Sequence, residues 1–196
     1  MNYEHWRQYV RGWVFHFMGK TDRAYAAYAL AFHHNPQDAQ SARHLAAIAA
    51  QRQNYQVAEH WFLDVLRIKP DDADSHYNLG FVREQMKAPR LAIESFKEAV
   101  RLVPTIDRAW YGMGLAHAAL GEHADAAAAL REAVRLQPMN GYAWYQLGMA
   151  YHRDGDQSKV EHVVNKLLEF DPKITRQLIK DTGREDLAPR LPKMPW

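Results

Sequence analysis

Apolar positions of fixed size return along this chain at a constant interval. Proline marks the interval first: Pro36, Pro70, Pro104, Pro138 and Pro172 stand 34 residues apart. A period of that length is the mark of a repeat architecture, in which each unit buries its apolar face against the next. With proline at position 32, the units run 5–38, 39–72, 73–106, 107–140 and 141–174. Position 8 is then small in every unit (Gly12, Ala46, Gly80, Gly114, Gly148), as is position 20 in four of them (Ala24, Ala58, Ala92, Ala126, then Val160). Position 27 holds Ala31, Val65, Ala99, Ala133 and Leu167, while position 24 holds Tyr28, Phe62, Phe96, Leu130 and Val164. Small residues at 8, 20 and 27 let two helices approach closely, and the large one at 24 fills the space between them.

This register predicts a helix, a short turn and a second helix in each unit. The helices fall at about 5–18 and 21–34, 39–52 and 55–68, 73–86 and 89–102, 107–120 and 123–136, and 141–154 and 157–170. Gly19, Gly121 and Gly155 share position 15, where the first helix must end on a residue tolerant of positive φ. The proline at 32 stops the second helix because it lacks the N–H that would continue the ladder. Asp72, two residues after Pro70, is placed to cap the next helix, and Pro89 falls in a first turn, where a missing N–H matters least.

Residues 107–114 and 141–151 sharpen the pattern. Ala109-Trp110-Tyr111 leads to Gly114, and Ala143-Trp144-Tyr145 leads to Gly148-Met149-Ala150-Tyr151. With the 34-residue period, these runs resemble the first helix of the tetratricopeptide repeat (TPR) family, over roughly 170 residues. Trp110 and Trp144 occupy the family's tryptophan position, from which Gln8, Ala42 and His76 depart, and repeat 2 matches least, with Ala46 for Gly and Ala49 for Tyr. The resemblance implies an all-α fold: a right-handed α-solenoid of five antiparallel helix pairs, whose first helices line a concave groove. A short capping helix over 173–181, with Ile174, Leu178 and Ile179 on one side, would complete a solenoid domain of residues 1–182.

By the same resemblance, positions 2, 5, 6, 9, 12 and 13 of each first helix face the groove. Position 5 gives Tyr9, Arg43, Tyr77, Tyr111 and Tyr145, and position 9 gives Trp13, Ala47, Phe81, Leu115 and Met149, an i, i+4 stripe of aromatic and apolar groups. Stacked aromatics on a concave surface anchor a partner segment. Arg43, Asn78 and Arg108 map onto the carboxylate clamp that some TPR domains use, but Ala47 and Gly112 interrupt it, so Asn78 reads better as a contact to peptide backbone. The expected function is that of a non-enzymatic adaptor, binding an extended peptide or helix of a partner through Arg43, Tyr77, Asn78, Phe81, Arg108, Tyr111, Leu115, Tyr145 and Met149. No cofactor is expected.

Other features define the alternatives. Tyr3, Trp6, Tyr9, Trp13, Phe15 and Phe17 crowd the first helix, so Trp6, Tyr9 and Trp13 form an expected association face for a homo-oligomeric scaffold. Eleven histidines raise a third reading, a metal or catalytic site. They scatter in register (His76 at position 4, His16 and His152 at 12, His60 and His162 at 22, His123 at 17), with no HExxH, so neither metal ligands nor catalytic residues are assigned. Beyond Gly183, prolines 189, 192 and 195 suggest an extended, polyproline-like tail over 183–196. A net charge of +2 with no Lys/Arg run argues against a nucleic-acid partner, and no apolar run approaches a membrane span. The absence of cysteine excludes disulfides and thiol chemistry. The location expected for such a chain is the cytoplasm.

Overall fold

The computed structural model describes residues 3–192. Among these the chain is helical throughout: α1 (Tyr3–Phe17), α2 (Thr21–His34), α3 (Ala39–Gln51), α4 (Tyr55–Ile68), α5 (Ala73–Gln85), α6 (Pro89–Leu102), α7 (Asp107–Ala119), α8 (His123–Leu136), α9 (Gly141–Arg153), α10 (Gln157–Leu168) and α11 (Pro172–Thr182), then a 3-10 turn at Glu185–Arg190. The ten paired helices and the capping helix follow the sequence register to within about two residues at each end. The chain divides into two compact units, Met1–Val103 with α1 to α6 and Pro104–Trp196 with α7 to α11.

In the N-terminal unit each pair closes on the predicted small-to-large contact. A Cβ on Gly80 would lie 2.6 Å from the Phe96 ring, and one on Gly12 would lie 2.8 Å from the Tyr28 ring. In these two pairs the helices meet closely because position 8 is glycine and position 24 carries a flat ring, while repeat 2 buries Ala46 and Phe62 in one cluster. Ala24, Ala31, Ala58, Ala92 and Ala99 are fully buried, as the register requires of positions 20 and 27. In the C-terminal unit Leu130, Leu147, Val160, Val164 and Leu167 form the core, and Leu178 and Ile179 of α11 complete it.

Position 15 is left-handed in all five repeats. Gly19, Gly121 and Gly155 have φ of 71°, 77° and 84°, and Gln53 and Lys87 hold the same place at 59° and 61°. The turn geometry is therefore common to every repeat, while glycine supplies it in only three.

Asp72 takes the N-cap position of α5, but its carboxylate does not cap the helix. It accepts from Ser75 Oγ at 2.5 Å and from Arg43, so the expected cap is replaced by a bridge back to α3. Asp38 does cap α3, accepting from the backbone N–H groups of Gln40 and Ser41.

The tail expectation is corrected over its described part. Residues 185–190 form the 3-10 turn rather than an extended strand, and Leu187 is buried among the core residues of α10 and α11. Arg190 pairs with Glu161 at 2.7 Å and donates to Asn165 at 2.8 Å, and Arg184 donates to Gln157 O at 2.9 Å. One buried leucine and two arginine anchors outweigh the extended habit of isolated prolines, and the fixed φ of Pro189 is itself compatible with a 3-10 turn. The last prolyl segment, 193–196, lies outside the described residues.

Candidate functional site

The first helices carry the candidate site, and the fold fixes them from behind through position 4. Trp110 Nε1 donates to Pro104 O at 2.9 Å, and Trp144 Nε1 donates to Pro138 O at 2.8 Å. His76, which departs from tryptophan in sequence, places Nε2 2.9 Å from Pro70 O and does the same work. Each bond ties a first helix to the proline that stands six residues before the bonding side chain.

In the N-terminal unit this face bears a recess of ≈ 400 Å³ lined by Arg43, His44, Ala47 and Ala50 of α3, Phe62 of α4, and Asn78, Phe81 and Val82 of α5. Three of the sequence-selected residues, Arg43, Asn78 and Phe81, meet here. Phe81 is 41% exposed, so its ring forms part of the open wall. Asn78 is half-buried, and among the described residues its amide has no hydrogen-bond partner. Arg43 is not open to a ligand as a clamp would need: its guanidinium is closed on Asp72.

Beside the recess lies a ring cluster. Tyr9 stands 5.7 Å from the Tyr28 ring and 5.9 Å from His44, and His44 stacks on Tyr28 at 4.4 Å and 9°. Burial pushes Tyr28 up to about 12, with Tyr9 adding to the shift, and burial is also the main cause raising Tyr9. The imidazole of His44 is held below its ordinary range by burial first and by His16 and Arg43 next, with Asp38 opposing. Tyr9 is thus half-buried within this cluster. Trp6 and Trp13 are open, at 49% and 56%, as is Phe17 at 84%, whose ring stacks on Trp13 at 6.0 Å. These three occupy positions 2, 9 and 13 of the first repeat. Phe17, one of the aromatics that crowd α1 in sequence but not one of the expected site residues, joins them through its stacked ring.

In the C-terminal unit a second recess of ≈ 200 Å³ is lined by Ala118, His123, Tyr145, Gln146, Met149, Ala150 and Arg153. It brings together Tyr145 and Met149. Tyr145 donates to Asp181 Oδ2 of α11 at 2.7 Å, so the capping helix orients it; burial first and that bond second raise its phenol above the usual range. Tyr111 is half-buried against the same core, Leu115 is half-buried, and Arg108 is exposed at the start of α7. Tyr77 in the N-terminal unit is half-buried, its ring 6.1 Å from that of Phe96. The tyrosines of position 5 are therefore partly packed, while open aromatics lie on α1 and, at Tyr142, on α9.

The tetratricopeptide repeat profile matches residues 9–73, 77–138 and 111–159. The chain belongs to the tetratricopeptide repeat family. As a TPR protein it is a protein-interaction scaffold and not an enzyme. No curated protein matches the sequence. Among solved structures, the TPR fold is shared with MamA (19% identity, all of both chains, TM-score 0.82). It is shared with YrrB, a TPR protein with an unusual peptide-binding site (20% identity, 88% of this chain and 90% of that one, TM-score 0.79). A third is MamA 41-end from Desulfovibrio magneticus RS-1 (22% identity, 87% and 97%, TM-score 0.79). Among the described residues, no helix of this TPR chain is long and apolar enough to cross a membrane.

Proposed function

We propose that the scaffold captures a peptide or helix of a partner protein on the groove face of its first helices, with the recess between α3 and α5 as the principal seat. The observation that carries this is the unpartnered Asn78 amide set beside the open ring of Phe81 in a ≈ 400 Å³ recess. An apolar anchor fills such a recess, while an amide with both a donor and an acceptor pairs with the backbone of an extended segment. Trp6, Trp13 and Phe17 extend the apolar surface along α1, and the Tyr145–Met149 recess of the C-terminal unit supplies a second, smaller seat. With Arg43 committed to Asp72, the reading favours an internal segment over a terminal carboxylate. It takes the partner to be protein rather than nucleic acid, on the near-neutral charge, and the setting to be the cytoplasm.

Selection from a phage-displayed peptide library on the purified chain tests the reading. Enriched peptides should carry an aliphatic or aromatic anchor and should lose binding to Phe81→Glu and Asn78→Asp chains that melt as the wild type does. Equal binding to both variants would sink it.

A second reading, self-association through Trp6, Tyr9 and Trp13, is supported by the exposure of both tryptophans and by the stacked Trp13–Phe17 pair. Light scattering on wild type and Trp6→Glu distinguishes them: an oligomer that dissociates in the variant supports it, and two monomers remove it.

A further inference from the structure

We propose that the turn joining α7 to α8 binds a divalent transition-metal ion through His117, Glu122 and Asp125. The three offer one imidazole nitrogen and two carboxylate oxygens, all within 4.8 Å of one another. His117 is buried, which fixes the imidazole, while Glu122 and Asp125 are exposed and leave the site open to solvent. His117 Nδ1 and Glu122 Oε2 already stand at hydrogen-bond distance, 2.6 Å.

The register supplies the independent argument. These residues occupy positions 11, 16 and 19, which the fold brings together in other repeats as well. In repeat 5 they are Tyr151, Asp156 and Lys159, where Lys159 Nζ lies 2.6 Å from the Asp156 carboxylate and 5.2 Å from the Tyr151 ring centroid. In repeat 1 Arg23 stands over Phe15, 5.9 Å from its ring centroid, and in repeat 3 Arg83 donates to Leu91 O at 3.3 Å. Repeats 1, 3 and 5 therefore hold a cation of their own at this turn. Repeat 4 places Asp125 where repeat 5 has Lys159, and among the described residues neither Glu122 nor Asp125 has a Lys or Arg partner. Two carboxylates thus converge on an imidazole with the built-in cation missing.

One nitrogen and two oxygens suit a borderline divalent ion such as zinc, leaving positions for water or for a ligand from a partner. Bonds of about 2.0–2.2 Å need donor atoms somewhat more than 3 Å apart. The buried imidazole can stay in place while the exposed carboxylates adjust. The ion takes the place of the proton between His117 and Glu122, and that proton leaves to solvent.

The test is calorimetric titration of the chelator-stripped, full-length chain with zinc chloride, in two buffers of different ionisation enthalpy, with melting curves of each sample. One equivalent of zinc should bind the wild type with proton release and should raise its melting temperature. Asp125→Lys, which restores the arrangement of repeat 5, should stay folded and lose affinity about 10–100-fold or more. Zinc binding that is the same in wild type and Asp125→Lys, or no binding by the wild type, overturns the proposal. If His117→Gln does not fold, Glu122→Gln joins Asp125→Lys in deciding the outcome.

Discussion

The guanidinium of Arg43 is closed on the carboxylate of Asp72, joining α3 to the start of α5. Both side chains are partly sheltered, at 33% and 14% exposure, and Ser75 Oγ donates to the same carboxylate oxygen at 2.5 Å. A pair held this way orders the rim of the recess. It should be coupled: in a double-mutant cycle of Arg43→Ala and Asp72→Ala, the pair is worth about 1 kcal/mol beyond the sum of the singles. Denaturant unfolding of the four proteins measures it. A coupling of zero would show that solvent has broken the pair.

The bond between position 4 and the preceding proline gives a second expectation. Trp144→Phe keeps the ring but strands the Pro138 carbonyl, and Trp110→Phe does the same to Pro104. Each should cost about 1 kcal/mol in stability, the net worth of one intramolecular hydrogen bond. His76→Phe should cost a similar amount although it is not a tryptophan, because His76 makes the equivalent contact to Pro70 O. Urea unfolding of the three variants checks both the size and the equivalence.

That equivalence shows what the sequence makes legible. The period, the helix limits and the small-to-large contacts follow from residue size and from proline and glycine chemistry, which are local. His76 for Trp, and Gln53 and Lys87 for glycine, were invisible because different side chains meet one geometric demand. The candidate site was partly legible: the family resemblance put Arg43, Asn78 and Phe81 among the groove positions, and the three line one recess. Register could not show that Arg43 is bound to Asp72 or that Tyr145 is bound to Asp181, because those contacts depend on side-chain reach between repeats. Nor could it place Leu187, whose burial depends on the surface that α10 and α11 form together.

His44 should make the chain sensitive to acid. Its imidazole is held below the ordinary range in the folded chain, so the unfolded chain takes up the proton first as pH falls. The sign is then fixed: stability is full above the unfolded value and falls as pH drops from about 6.5 toward the lower folded value. Across a melting series between about pH 7.5 and pH 5, wild type should lose more than His44→Phe, which keeps a ring against Tyr28 without the titration. Asp38 opposes the shift, so Asp38→Asn should steepen the wild-type fall. Parallel melting series for wild type and His44→Phe would show that the imidazole is not responsible.

The left-handed turn position gives the most direct route to a more stable chain. Gln53 and Lys87 hold φ of 59° and 61° on exposed turns, where a Cβ is strained and nothing else is gained. Gln53→Gly and Lys87→Gly remove that strain but give the unfolded chain more freedom, so each should stabilise by a net of about 0.5–1 kcal/mol. The two turns share no described partner, and the gains should add. The converse change, Gly121→Ala at φ 77°, meets no neighbouring atom within 4 Å, so its cost isolates the backbone term at about 1–2 kcal/mol. Thermal and urea unfolding of the three variants tests the argument as a set. Destabilisation by both glycine substitutions, with no loss in Gly121→Ala, would mean that the turns do not hold this conformation.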